Sequence, residues 1–162
     1  MDLSKYHIRE SVRIAAPPEA VWSRISDISR MGDVSPLCVG CEWDDPATGM
    51  AVGSWFAGTN KAGEYEYTTR CQIDALEPGT SFSFVNNGID GESPSARWGY
   101  EVHPADGGTE LTETRELLPS FAEAIRAYDN EADIEQVATE RTAAMLQGVT
   151  ATLTALKDEL EA

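Results

Sequence analysis

An α+β protein, in which a curved antiparallel sheet of about seven strands meets one long C-terminal helix, is what the sequence predicts, and three observations carry that expectation. From Val39 to Leu117, short runs with alternating apolar residues are separated by turn signals. From about Glu131 onward, a single apolar stripe recurs at helical spacing. No strand alternates with a long helix, which excludes a doubly wound parallel sheet.

The first strand is "YHIRESVRI", where Ile8, Val12 and Ile14 share a face and Glu10 is the exception. "APPEAVWSRISDI" follows. Its two prolines suit a first helical turn, and Val21, Trp22, Ile25 and Ile28 recur as one stripe. "SRMGDVSPL" is a turn-rich connector with room for a second short helix. The strands then come in order as "VGCEW", "GSWFAGTN", "EYEYTTRCQIDAL", "SFSFVN", "ARWGYEVHP" and "TELTETRELL", joined by "DDPATG", "KAG", "EPG", "NNGIDGESPS" and "ADGG". Ser120 and Glu123 have capping-box spacing. In the last helix, Ile134, Val137, Ala138, Met145, Val149, Leu153, Leu156 and Leu160 form the stripe, and about 30 residues make a rod roughly 45 Å long.

The 162 residues, with 41% hydrophobic and 25% charged side chains, fit one domain spanning 1–162. No window approaches the roughly 18 apolar residues of a membrane span, and "MDLSKYHIRE" lacks the apolar core of a secretory signal, so a cytoplasmic protein is expected. The formal charge of −16 argues against nucleic acid and anionic lipid surfaces as partners. The three cysteines, Cys38, Cys41 and Cys71, are read as reduced thiols. "CVGC" has no matching histidine pair to complete a zinc site, and redox CxxC motifs open a helix whereas this one begins a strand, so neither a metal nor a redox role is expected. No cofactor is expected either: there is no GxSxG, HExxH, phosphate-cradling glycine loop or dinucleotide fingerprint.

The order of elements, together with "IAAPPEAVWSRISDISRMGDVSP", "VGSWFAGTN", "EPGTSFSF", "GGTELTET" and "RTAAMLQGVTATLTALK", resembles the START/Bet v1-like (SRPBCC) superfamily, and in particular bacterial members of the polyketide cyclase/dehydrase and lipid-transport type. The resemblance covers nearly the whole chain. It implies a helix-grip fold, with two short helices after the first strand and the sheet wrapped around the long helix, leaving a cavity for a hydrophobic or amphipathic small molecule. It carries no catalytic signature.

Strand parity then selects the cavity wall. Tyr65, Tyr67, Thr69, Cys71 and Ile73 share the inner face of one strand; Phe82, Phe84 and Asn86, Trp98 and Tyr100, and Phe56 with Asn60 face the same way from its neighbours. Aromatic walls with isolated polar handles suit a ligand pocket; for each ring taken singly core packing is the commoner role, while the hydroxyls of Tyr65, Tyr67 and Tyr100 favour a wet or ligand-filled interior. Glu113 and Arg115 lie inward between Leu111 and Leu117, and Arg141 sits on the helical stripe between Val137 and Met145, one turn from each and ahead of Val149. A polar cluster of Arg141, Glu113 and Arg115 inside an apolar cavity is one reading; an ion pair at the helix–sheet seam or snorkelling of the arginines is the other. Three functions remain open: a binder of a small hydrophobic molecule (lipid, polyketide or aromatic metabolite), a cyclase/dehydratase-like enzyme with Glu113, Tyr67 and Tyr100 as acid and base groups, or a chaperone-interacting module. Trp55, directed away from Phe56, is a candidate homodimer contact.

Overall fold

A computed structural model describes residues 1–162, the side chain of Ala62 left aside. Strands β1 (Ile8–Ile14), β2 (Cys38–Trp43), β3 (Trp55–Ala62), β4 (Tyr65–Glu77), β5 (Ser81–Asn86), β6 (Ala96–Ala105) and β7 (Gly108–Leu117) form one antiparallel sheet in the order β1-β7-β6-β5-β4-β3-β2. Six consecutive strands are therefore a meander, and β1 closes onto the last of them. Tight turns do this work: Gly107 in "ADGG" sits at φ +75°, a conformation that a side chain disfavours.

Helix α1 (Pro18–Ser26) opens on Pro18 after an extended Pro17, and a 3₁₀ segment, Ile28–Asp33, supplies the second short helix. Helix α2 covers Phe121–Arg126 and α3 covers Ile134–Glu161. The α3 start lies three residues beyond Glu131 because Asp133 caps it, accepting from the Gln136 N–H at 3.2 Å. Ser120 departs from its expected role: it makes no side-chain cap, and its hydroxyl donates instead to the Pro94 carbonyl at 2.7 Å.

The 28 residues of α3 extend about 42 Å, and they are held at both ends. Val149, Leu153 and Leu156 enter a main core with Ile14, Val21, Ile25, Ile73, Phe82, Val102 and Leu111. Ile134 and Ala138 enter a second core with Tyr6, Ala96, Leu117, Phe121 and Ile125. Between these anchors the helix crosses the sheet without a buried residue from Thr139 to Gln147. A helix pinned at its ends over a concave sheet leaves space beneath its middle.

Candidate ligand cavity

That space is a cavity of about 550 Å³. Its apolar wall holds Phe56 edge-to-face on Phe84 at 5.1 Å, with Trp98 and Phe82 alongside, and Trp43 backs Phe56 from outside the cavity at 5.6 Å. Of the residues expected from parity, all but Tyr65 and Ile73 line it: Phe56, Asn60, Tyr67, Thr69, Phe84, Asn86, Trp98, Tyr100, Glu113, Arg115, Arg141, Met145 and Val149 are there. Ile73 is buried in the main core instead. Tyr65 has the right parity, yet beside the β3–β4 turn it is 65% exposed and stacked on Tyr67.

Glu113 and Arg115 are buried, as their parity requires. On β7, Glu113 stands opposite Tyr100 of β6, whose hydroxyl donates to its Oε1 at 2.9 Å. The second oxygen, Oε2, has no partner among the described residues. Burial pushes the Glu113 carboxyl up to about 8, against a smaller downward pull from the Tyr100 hydrogen bond, so it carries a proton at neutral pH. Burial, helped by the Glu113 carboxylate, likewise raises the Tyr100 phenol.

The anticipated cluster divides into separate contacts. Arg115 turns toward the other end of the cavity, where Nη2 donates to the Tyr6 carbonyl at 2.9 Å and to Thr142 Oγ1 at 2.5 Å, leaving its buried Nε unpaired. Burial first, and the nearby Arg141 second, bring the Arg115 guanidinium down to about 10. Arg141 is exposed at the cavity rim and donates to the Tyr128 hydroxyl, not to Glu113. No ion pair joins the carboxylate to either arginine among the described residues, because two residues along β7 separate the side chains enough for each to find a nearer partner.

Parity alone missed part of the wall. Ser35 to Cys38 and Cys41 line the cavity, as do Ile28, Met31 and Gly148. Leu37 lies over Gly148, so close that a Cβ there would meet its Cδ1 at 2.3 Å, and this contact clips the 35–38 segment onto α3. The signal lay in Gly148 itself, a poor helix residue inside an otherwise regular run. Asn60 orients the opposite side, donating to Thr69 Oγ1 at 3.1 Å. Among the described residues no group of three or more metal-binding side chains gathers here, and no helix is long and apolar enough to cross a membrane.

A cavity between a curved seven-stranded sheet and a long terminal helix is an arrangement shared with known proteins. The family model for polyketide cyclase / dehydrase and lipid transport matches residues 5–161. The chain belongs to this family. A polyketide-cyclase-like protein from Corynebacterium glutamicum, Cgl2372, known from a solution NMR structure, is 33% identical over 96% of this chain and 91% of its own, with a TM-score of 0.67. ZhuI aromatase/cyclase from Streptomyces sp. R1128 superposes at 0.64 with 16% identity, covering 96% of this chain and 93% of that one. Ara h 8.0201 superposes at 0.63 with 14% identity, covering 95% and 96%. The last two share the fold, which is the helix-grip, Bet v1-like arrangement. Among curated proteins none matches the chain.

Proposed function

We propose that this protein binds one hydrophobic or amphipathic small molecule, of the lipid, polyketide or aromatic-metabolite kind, in the cavity under α3. The carrying observation is a largely apolar space of about 550 Å³, within the roughly 300–1,000 Å³ of ligand sites, containing two buried polar atoms without partners, Glu113 Oε2 and Arg115 Nε. A buried polar group left unpaired costs about 1–3 kcal/mol, which a guest with an oxygen at the right place recovers. Phe56, Phe84, Trp98 and Met145 would hold its apolar body; Tyr100, Glu113 and Arg115 would fix its polar end. The family description and the aromatase/cyclase neighbours support this class of guest. Three free cysteines support a reducing, cytoplasmic setting.

A second reading has a specific observation in its favour: a Glu113 carboxyl that stays protonated up to about pH 8 is equipped to act as a general acid on a developing enolate, with Tyr100 beside it and Tyr67 across the cavity. Native mass spectrometry of the purified protein, paired with titration of a neutral solvatochromic dye, separates these readings. A one-to-one small-molecule adduct and a dye displaced by lipid or aromatic ligands support binding. Turnover of poly-β-keto or hydroxyacyl substrates that disappears in Glu113→Gln promotes the enzyme. A folded protein that takes up neither dye nor ligand removes both.

A further inference from the structure

Residues three apart on a regular strand point to opposite faces, so Cys38 and Cys41 in β2 should not meet. They do. The pairing of β2 with β3 slips by one residue, from Cys38 opposite Asn60 to Gly40 opposite Thr59, and this bulge leaves Val39 projecting to solvent while both thiols turn to the cavity. Their sulfurs are 3.2 Å apart. Both are half-buried on an edge strand that lines the cavity, and among the described residues no third ligand joins them to make a metal site.

We infer that Cys38 and Cys41 form a thiol–disulfide exchange site on the cavity wall, with Cys38 as the attacking thiol, Cys41 as the resolving thiol and a small uncharged or cationic disulfide as co-reactant. The Cys38 thiolate attacks one sulfur of the co-reactant RSSR, forming a Cys38–S–S–R mixed disulfide and releasing RS⁻. Cys41 then loses its proton, attacks the Cys38 sulfur and expels the second RS⁻. Two protein thiols and one RSSR thus become one protein disulfide and two RSH. Closing the bond requires the sulfurs to approach from 3.2 Å to about 2.05 Å, a movement of side-chain scale.

At 3.2 Å one thiol can stabilise the thiolate of the other. With Cys41 as the donor, that contact holds the Cys38 thiol down to about 7, near the optimum for attack at neutral pH. That same bond raises Cys41, with burial and the Cys38 charge adding to it. Once Cys38 is captured as a mixed disulfide its charge is gone, and the main cause holding Cys41 protonated goes with it. Cys71 on β4 and Tyr100 on β6 are the other titratable groups that feel the pair. Burial lifts Cys71 to about 12, which leaves it inert by contrast. The −16 formal charge sets the co-reactant's character, since an anionic disulfide approaches against that field.

The test treats reduced protein with bis(2-hydroxyethyl) disulfide at pH 7, alkylates the remaining thiols and maps the products by peptide mass spectrometry. The folded wild type is expected to yield a Cys38–Cys41 crosslink with Cys71 alkylated, roughly tenfold faster than the urea-unfolded chain. Cys41→Ser is expected to stop at a hydroxyethylthio adduct on Cys38, and Cys38→Ser to react roughly tenfold more slowly than wild type. A crosslink that forms no faster in the folded protein than in urea, or none at all, overturns the proposal whatever the variants do. So does an adduct on Cys71 in folded Cys41→Ser.

Discussion

Glu113 ties the stability of this interior to pH. Its carboxyl shifts from 4.5 to about 8 on folding, equivalent to about 5 kcal/mol. The pKa is raised, so the folded state binds the proton more tightly than the unfolded chain; stability is full below pH 4.5, falls as pH rises toward 8 and levels beyond it. Glu113→Gln keeps an acceptor for Tyr100 and removes the ionisation. Denaturant titrations at pH 5 and pH 8 should find the variant gaining on wild type by a few kcal/mol at the higher pH and by little at the lower; an equal difference at both would show that the carboxyl ionises freely. The burial of Glu113 and of Arg115 was legible in seven letters, because alternation from Leu111 to Leu117 leaves them no other face. Their partners were not legible. For Arg115, Tyr6 and Thr142 come from elements remote in sequence, and helical spacing that placed Arg141 on the apolar stripe cannot register that its side chain meets Tyr128.

At the scale of elements, α3 is fastened to both cores and to α1, and each fastening makes a prediction. Arg24 of α1 is buried with Nε 2.5 Å from Glu159 near the α3 C-terminus, and its Nη2 donates to the Arg30 carbonyl at 3.2 Å. Arg24→Leu should cost about 1–3 kcal/mol and speed amide exchange over Ala155–Glu161 more than over Ile134–Ala138. Uniform acceleration along the helix would contradict a local clamp. Gly148→Ala places a Cβ where Leu37 now sits. Because the colliding atoms are the end of a flexible side chain, the cavity flap should yield before the helix does: dye association accelerates several-fold, while stability falls by about 1–3 kcal/mol. Unchanged association would mean that the 35–38 segment does not control entry. Composition and turn residues revealed every strand, yet neither bulge. The slip at Cys38/Gly40 and the one between Ile73 and Ala75, which brings Leu76 opposite Phe82, reverse the facing of later residues without changing the kind of residue present. Strict parity therefore read the facing of β4 correctly up to Ile73, and missed both thiols on the cavity wall.

Across the whole molecule, the sequence order of strands and the long stripe specified the architecture, because a meander followed by one amphipathic rod has few ways to bury its apolar faces. The cavity was legible in the aromatic inner face and the inward charges, but its size was not, since the volume depends on how far apart two separate cores hold the sheet and the helix. Global charge adds a property that no pairwise contact carries. Most of the cations already have partners: Lys5, Arg9, Arg24, Arg30, Arg70, Arg97 and Lys157 each lie within 4 Å of a carboxylate. With 28 acidic against 12 basic residues, the remaining carboxylates repel one another over the whole surface. Salt weakens both effects, but exposed pairs contribute only about 0–1 kcal/mol each, whereas self-repulsion acts between all the excess charges at once and its range contracts from about 30 Å to about 8 Å between 0.01 and 0.15 M. The melting temperature should therefore rise by several degrees over that interval at pH 7, and the rise should shrink as pH falls toward 4.3, the calculated isoelectric point. A melting temperature that falls with added salt would show that the ion pairs, and not the excess of negative charge, govern the electrostatic part of stability.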